Sequence, residues 1–186
     1  MVWVDNHAGM TFLVCFCAYL LGCVATGYYL VQIVAHRDIR AGGSGNVGAR
    51  NVGRLLGAWG FTTVLLCDFG KGALAVWLAR RFTGNEELSL LALLAVTAGH
   101  IWPAQLKFRG GKGVSTSLGA LLVFDWRIAL TFAAIAGLTA LLLRKFTLGG
   151  LTAFAALPLM AMAWQGDPPT VIGLLILALL VLWAHR

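Results

Sequence analysis

Charged side chains are scarce in this sequence of 186 residues: they make up 11% of it, against about 25% in an ordinary soluble domain. Hydrophobic residues make up 60%, and the mean hydropathy is +0.85. A globule of this size cannot bury so much apolar surface. The composition therefore excludes a soluble enzyme, a disordered tail and a secreted disulfide scaffold, and it predicts an integral membrane protein. Because the apolar runs are continuous rather than alternating, they predict helices and not a β-barrel.

Several motifs are also absent, and their absence narrows the chemistry. The sequence contains no CxxC pair, no cluster with metal-ligand spacing, no GxSxG elbow and no HxxxxD motif, which excludes the His–Asp base of thioester-dependent acyltransferases. We therefore predict no metal site. The first nine residues contain no Lys or Arg, so we interpret the first apolar run as a retained helix rather than a signal peptide. The cysteines all lie in apolar runs, where they act as small hydrophobic residues: Cys15, Cys17, Cys23 and Cys67.

What is present is a series of seven apolar segments separated by polar residues. They cover residues 10–34, 55–79, 88–106, 113–124, 128–143, 146–164 and 170–184. The segment at 113–124 is too short to span a bilayer of about 30 Å, so it is either a half-helix or fused to its neighbour. We predict an all-α bundle of about seven transmembrane helices, with five as the lower limit, forming one domain over residues 1–186.

The basic residues predict the orientation of the bundle. The chain has 14 Lys and Arg against 7 Asp and Glu. In a soluble chain this excess would indicate nucleic acid, but in a membrane protein it marks the cytoplasmic loops, so we predict no nucleic-acid partner. With the N-terminus outside and the C-terminus cytoplasmic, three of these residues fall outside (Arg80, Arg81 and Arg127), and ten fall inside: Arg37, Arg40, Arg50, Arg54, Lys107, Arg109, Lys112, Arg144, Lys145 and Arg186. Two glycine-rich basic loops, at 36–54 and 107–112, then share the cytoplasmic face.

The first of these loops combines glycines with neutral polar residues and arginines over residues 42–54. Glycines permit positive φ, which lets successive N–H groups turn toward one anion. A helix starting near Leu55 would direct its positive end at the same place. Residues 43–48 also match GxGxxG, but they follow a transmembrane helix rather than a strand, which excludes a dinucleotide site. Composition alone supports a phosphate site and a flexible basic loop equally.

The second loop covers residues 107–116 and is not a P-loop, because Leu106 stands at the position of its first glycine and Gly113 follows Lys112. A lysine among glycines at the start of a helix nevertheless suits an anion. The alternative is a basic anchor at the membrane surface, and this describes Lys107 and Arg109 adequately. Lys112 is the stronger candidate for function.

Four ionisable residues lie in or beside apolar segments. Asp68 and Lys71 share one helix face at i, i+3, and we favour an ion pair directed at the protein interior over a functional role. His100 is either a general base or a packed polar residue with one nitrogen on a carbonyl, and Pro103 kinks or ends its helix. His185 either approaches the same anion or caps the last helix.

Three stretches of the sequence resemble motifs of the PlsY family, the bacterial membrane acyl-phosphate:glycerol-3-phosphate acyltransferases. They are residues 43–49 (GSGNVGA) with Asn51, Val52 and Arg54, residues 68–72 (DFGKG), and residues 99–103 (GHIWP) followed by 108–116 (FRGGKGVST). The resemblance implies transfer of an acyl group from acyl-phosphate to the sn-1 hydroxyl of glycerol 3-phosphate, at the inner membrane, with no metal or cofactor. One departure is Arg50, which stands where the family usually has Thr.

Carried over by position, the resemblance implies three catalytic residues, Ser44, Arg54 and Lys112. It implies substrate contacts at Gly43, Gly45, Asn46, Gly48, Arg50, Asn51, His100, Gly111, Gly113, Thr116 and His185. The acyl chain would lie in an apolar groove open to lipid. The alternative function is a transporter of small anions or phosphate esters, although transporters usually show paired halves and a midplane site. The sequence does not determine an oligomeric state.

Overall fold

In a computed structural model, the backbone is described for residues 4–186 and the side chains for residues 8–186. Most of the N-terminal stretch without Lys or Arg, residues 1–7, lies outside the described side chains. Regular structure in the described chain is entirely helical, which confirms the all-α prediction: α1 (Val4–Cys23), α2 (Thr26–Ala35), α3 (Ala49–Thr83), α4 (Glu86–Ile101), α5 (Val114–Phe124), α6 (Trp126–Leu143), α7 (Phe146–Ala155), α8 (Leu157–Trp164) and α9 (Pro168–Trp183). Short 3₁₀ turns occur at Ile39–Ala41 and Ala104–Leu106.

Among the described residues, the helices long and apolar enough to cross a membrane number four or five, which is at or below the predicted lower limit of five. Within the described residues there are four such stretches, or five if the bent pair α7 and α8 forms one span: Ala8–Ala35, Ala49–Thr83, Glu86–Leu106 and Trp126–Leu143. The other two apolar helices are shorter, with 11 residues in α5 and 16 in α9. As a half-helix, α5 matches one of the two predicted alternatives, and the chain is a multi-pass membrane protein.

Three apolar segments are less regular than predicted. The first is divided into α1 and α2 at Val24–Ala25. The segment at 146–164 bends by 49° between α7 and α8, because Pro158 has no N–H to donate to the preceding turn. Helix α3 begins at Ala49 rather than near Leu55, and Gly57 interrupts it with φ 74° and ψ −164°. Consequently Arg50, Asn51 and Arg54 lie on a helix and not in a loop.

Contacts between helix ends define two ends of the bundle. The Arg80 guanidinium donates to the carbonyls of Val123 and Phe124, at 2.6 and 2.7 Å, so the last turns of α3 and α5 lie together. Arg50 donates to the Thr147 hydroxyl at 2.7 Å, which joins the starts of α3 and α7. We call the end where α3, α5 and α7 begin the loop end, because both glycine-rich loops lie there. The end where α4, α6 and α9 begin is the opposite end.

Glycines let the helices around the site approach closely. Helix α1 packs on α4, and α3 packs on α5. A methyl group at Gly99 would collide with the Tyr19 carbonyl, and one at Gly72 would collide with the Thr116 carbonyl. Close approach through small residues is typical of helices in membranes, where apolar burial drives association weakly. This packing fixes the height of the short helix α5, so that its N-terminus meets the second loop.

Candidate active site

The first loop is held by the side chain of Asn51, which is 3% exposed. Its amide Nδ2 donates to the carbonyls of Ile39, Gly42 and Asn46 at 3.2, 3.1 and 2.9 Å. Its Oδ1 accepts the Ser44 N–H at 3.0 Å. Because one buried amide satisfies four backbone groups, the loop has a defined conformation and is not the flexible loop of the alternative interpretation.

This network changes the predicted way in which the first loop meets an anion. The Ser44 N–H binds Asn51, the Gly45 N–H binds the Gly42 carbonyl at 3.1 Å, and the Gly48 N–H binds Asn46 Oδ1 at 2.7 Å. These three N–H groups therefore do not form the predicted nest around a ligand. Gly43 and Gly45 do adopt positive φ, at 61° and 69°, but they shape the frame of the loop.

Two polar side chains at the first loop are open to a ligand. Ser44 and Arg54 are exposed. An open depression of ≈ 540 Å³ lies between the loop and the start of α3, and its lining includes Gly43, Asn51 and Arg54. Arg54 thus presents a cation to a concave surface, and the exposed Ser44 follows its lining residue Gly43, an arrangement that suits a phosphate-bearing substrate.

The second loop folds back on the end of α4. The Gly110 N–H donates to the Ile101 carbonyl at 3.1 Å, and the Gly111 N–H donates to the His100 carbonyl at 2.9 Å. A methyl group at Gly111 would collide with the His100 ring. Glycine is required here because the backbone passes directly over the imidazole. Lys112, half-buried, follows at once and stands beside the start of α5.

Helices α3 and α5 both begin without a side-chain cap. The N-cap residues are Gly48 and Gly113, the latter with φ 81°, and neither has a side chain that can accept from the first turn. The N–H groups of the first turn carry partial positive charge and need acceptors. An anion next to Lys112 would supply acceptors at the start of α5, as predicted for this loop.

Arg40 joins the two loops. Its Nη1 donates to the Leu106 carbonyl at 3.0 Å, while its Nη2 forms an ion pair with Asp38 at 2.7 Å. Its guanidinium also lies 5.1 Å from the centre of the Tyr28 ring. Hydrogen bonds from Arg40 hold the pKa of the Asp38 carboxyl below its usual value. The two loops therefore lie at the same end of the bundle, as the distribution of basic residues predicts.

The last residues of the chain reach the same end. The rings of Trp102 and Trp183 lie 5.4 Å apart, which places the end of α9 against the end of α4. The His185 Nδ1 lies 2.8 Å from the Val181 carbonyl, so Nδ1 donates and Nε2 is left as an acceptor. Burial, together with the charge of Lys112, lowers the pKa of His185 despite the opposing effect of that carbonyl. His185 and Lys112 therefore lie near each other at the loop end.

Asp68, Lys71 and His100 form a buried cluster beneath the second loop. Lys71 Nζ lies 2.8 Å from Asp68 Oδ1, and the two side chains are 6% and 3% exposed, which confirms the predicted interior ion pair. His100 Nδ1 lies 2.9 Å from Lys71 Nζ, so this nitrogen meets an ammonium group and not the carbonyl that one of the two interpretations predicts. The sequence did contain a signal for this contact, because the ion pair and the histidine lie at the same depth of two apolar helices. Lys71 and His100 are 29 residues apart, however, and their spacing does not reveal that they meet.

Two predicted substrate contacts point elsewhere in this structure. Thr116 is fully buried at the contact of α5 with α3, and its hydroxyl has no hydrogen-bond partner. Arg50 is exposed and directs its guanidinium to Thr147 at the start of α7. For metals, the described side chains contain no group of three His, Cys, Asp or Glu that could hold an ion.

The fold and site define a multi-pass helical membrane protein with a cationic, glycine-framed cleft at one end. The family model for glycerol-3-phosphate acyltransferase matches residues 12–186, and the chain belongs to this family. A relative from Desulfitobacterium hafniense (strain Y51), glycerol-3-phosphate acyltransferase 1, is 44% identical over 169 residues, which cover 91% of this chain and 84% of the relative.

Two crystal structures of PlsY (YgiH), an integral membrane glycerol 3-phosphate acyltransferase, have the same fold. The glycerol 3-phosphate form matches with a TM-score of 0.87 and 29% identity, over 95% of this chain and 88% of that chain. The lysophosphatidic acid form matches with a TM-score of 0.83 and 28% identity over the same shares. These comparisons confirm the resemblance to the PlsY family that the motifs indicate.

Proposed function

We propose that this chain, as a single domain, transfers an acyl group from acyl-phosphate to the sn-1 hydroxyl of glycerol 3-phosphate, giving lysophosphatidic acid and inorganic phosphate. The observation that carries the proposal is the convergence of two cationic loops, joined by Arg40 and the Leu106 carbonyl, at one end of the bundle. Both substrates carry a phosphate, so two adjacent cationic positions match their chemistry. Relatives named glycerol-3-phosphate acyltransferase support the acceptor and the reaction class.

The site divides into groups that touch substrate and groups that hold them. Ser44, Arg54 and Lys112 face the phosphates and the reacting carbonyl, and His185 lies beside Lys112. Arg50 adds positive charge at the rim. The remaining proposed positions shape the two loops or support them from inside: Gly43, Gly45, Asn46, Gly48, Asn51, His100, Gly111, Gly113 and Thr116.

In the reaction, the sn-1 oxygen attacks the acyl carbon, a new ester C–O bond forms, and the bond from that carbon to the phosphate oxygen breaks. Lys112 and Arg54 neutralise the charge that develops on the leaving phosphate. Holding both substrates in one cleft removes much of the entropic barrier. The hydroxyl proton passes to a phosphate oxygen of a substrate. In support, His100 Nδ1 faces Lys71 and is not available as a base. Loss of a bell-shaped pH profile in H100A, with unchanged substrate binding, would contradict this route.

The acyl chain has an apolar path beside the cationic cleft. Leu55 follows Arg54 and lines the same depression, and Trp59 is exposed just after the interruption of α3 at Gly57. Apolar side chains of this kind let a lipid tail remain in the bilayer while its phosphate reaches the cations. With the loop end facing the cytoplasm of the inner membrane, as the basic residues predict, both soluble glycerol 3-phosphate and membrane-bound donor have access.

One assay tests the proposal against the transporter alternative, which the family comparisons do not favour. Purified protein in detergent micelles receives acyl-phosphate and glycerol 3-phosphate, and both phosphate release and lysophosphatidic acid are measured. We expect stoichiometric turnover. A transporter would give none, because micelles enclose no compartment. Acyl-CoA and acyl-carrier-protein are the matched donors, and turnover with a thioester but not with acyl-phosphate would overturn the proposed donor.

A further inference from the structure

A charged residue that the proposed reaction does not use is buried between the two loops. Lys71 Nζ has three neighbours: the Val24 carbonyl at 2.6 Å, Asp68 Oδ1 at 2.8 Å and His100 Nδ1 at 2.9 Å. An ammonium group carries three N–H donors and no lone pair. The Val24 carbonyl and His100 Nδ1 therefore accept from Lys71, whereas Asp68 Oδ1 is a counter-ion at 2.8 Å that forms no hydrogen bond.

This geometry determines the tautomer of His100. Because Lys71 only donates, Nδ1 of the imidazole carries no proton, and the ring proton lies on Nε2. Asp68 Oδ1 is 3.6 Å from Nδ1, too far to accept from it in place of Lys71. The Nε2–H group is directed toward Gly111, because a methyl group added at Gly111 would collide with that nitrogen.

Through His100, Lys71 supports the second loop. The His100 carbonyl accepts the Gly111 N–H, and the His100 ring lies beneath the Gly111 backbone. Lys112 is the next residue along the chain. A rotation of the imidazole would therefore displace the backbone that carries the Lys112 side chain.

Lys71 also reaches the support of the first loop. The Val24 carbonyl lies at the break between α1 and α2, and Gln105 of the second loop region donates to the neighbouring Cys23 carbonyl. Helix α2 then packs under the first loop, where a methyl at Gly27 would collide with the Val47 carbonyl. One ammonium group thus contacts both the helix end beneath the second loop and the helix break beneath the first.

We propose that Lys71, with Asp68 as its counter-ion, is a positioning residue for acyl transfer: it holds His100 in the Nε2–H tautomer and sets the Gly111–Lys112 backbone relative to the first loop. This inference rests on the proposed function. A purely stabilising role explains the pair poorly, because replacing a buried ion pair with neutral residues is often neutral or stabilising.

The first test is spectroscopic and requires no turnover. Long-range ¹H–¹⁵N spectra of histidine-labelled protein in micelles distinguish the two neutral tautomers from imidazolium. We expect wild-type His100, assigned by its loss in H100Q, to be the Nε2–H tautomer, and we expect this signature to change in the double variant D68N/K71M. An Nδ1–H or doubly protonated ring in the wild type would overturn the inference.

The second test is kinetic. D68N/K71M removes both charges together, so that no unpaired charge stays buried, and we expect kcat/KM to fall roughly tenfold to a hundredfold through misplacement of Lys112. The control S89A removes a buried hydroxyl that donates to the Asn85 carbonyl at the opposite end, and it should leave kcat/KM unchanged. Wild-type kcat/KM in D68N/K71M would overturn the inference.

A matched pair at His100 separates positioning from simple packing. Glutamine carries its amide to the place of Nε2, next to Gly111, whereas asparagine keeps only an acceptor for Lys71 near Nδ1. We expect H100Q to retain more activity than H100N, and the reverse order would contradict the role at Gly111. If the wild type shows no turnover with acyl-phosphate, the proposed function fails, while the tautomer measurement still decides what Lys71 does.

Discussion

The two ends of the bundle treat their helix N-termini differently. At the opposite end, α4, α6 and α9 begin after residues whose side chains accept from the first turn: Asn85, Asp125 and Asp167. At the loop end, α3, α5 and α7 begin after residues that make no such bond: Gly48, Gly113 and Lys145. A side-chain cap contributes about 1 kcal/mol to the free energy of unfolding, so the helix starts at the opposite end stabilise the fold. The other leaves the N–H groups of α3 and α5 without a side-chain partner, which suits an anionic ligand.

The charges follow the same division. Asp125 and Asp167 place carboxylates at the helix starts of the opposite end. Arg54 and Lys112 place cations near the helix starts of the loop end, where they repel the helix dipole unless an anion lies between. The loop end is therefore electrostatically incomplete without a ligand, and substitutions at the two ends are expected to act on different quantities.

The largest expected effect is on activity at the loop end. R54A and K112A each remove a cation that, in the proposed reaction, stabilises the departing phosphate, and each should cost about 2–4 kcal/mol in transition-state stabilisation, measured as kcat/KM in micelles. Because both side chains are at least partly exposed, the midpoint of thermal unfolding should change little. R81A removes an exposed arginine near the opposite end and serves as the matched control. Wild-type kcat/KM in both variants would mean that the site lies elsewhere.

At the opposite end, substitution of Asp125 is expected to lower stability and not activity. Its side chain is 3% exposed. It accepts from the Arg127 N–H at 2.9 Å and from the Gln165 amide at 2.6 Å. D125A loses a cap together with the bonds from Arg127 and Gln165, so the free energy of unfolding should fall by about 2 kcal/mol with unchanged kcat/KM per folded molecule. D167A, which removes only the bond from the Thr170 N–H, should cost about 1 kcal/mol. A loss of activity in D125A without a loss of stability would contradict the proposed difference between the two ends.

Acid should reproduce the D125A result. Burial raises the pKa of Asp125, but the hydrogen bonds from Arg127 and Gln165 together lower it by more, so the pKa of Asp125 lies below its ordinary value. A lowered carboxyl pKa contributes stability above the ordinary value, and this stability is lost as pH falls through the folded-state pKa. Below about pH 4 the wild type should therefore approach D125A in unfolding midpoint.

A smaller effect distinguishes the two loops from each other. G111A forces a methyl into the His100 ring and should cost about 1–3 kcal/mol of stability through overpacking. G42A is the control in the first loop, since its φ is −140° and no atom lies within 4 Å of the added methyl. Equal unfolding midpoints for both variants would show that the second loop does not rest on His100.

The smallest effect is expected at Arg50, where the exposed guanidinium binds Thr147. R50A should change kcat/KM by about 0.5–1 kcal/mol, mainly through KM, because a rim charge acts at a distance through solvent. High salt should remove the difference by screening. R50K keeps the charge and should resemble the wild type, while a large effect on kcat would place Arg50 on the substrate.

Local patterns predict most of the secondary structure and the site composition. Apolar runs identify the helices, and Pro103 correctly marks the end of α4. Pro158 was an equally local signal for the bend between α7 and α8. The break at Val24–Ala25 contains no proline or glycine, although Gly22 and Gly27 flank it, and the Val24 carbonyl accepts from Lys71, far along the chain. Likewise the engaged N–H of Ser44 depends on the direction of one buried amide, Asn51, which spacing does not reveal.

The sequence by itself determines three properties: the membrane class, the helical character and the concentration of cations in two glycine-rich segments. They follow from composition and order along the chain, because transfer free energies and loop charges add up residue by residue. Three features depend on packing instead: which N–H groups stay open, which nitrogen of His100 holds the proton, and how Arg40 links the two segments. Hydrogen bonds require particular distances and angles between residues that lie far apart in the sequence, and only the rotation and height of the packed helices set them.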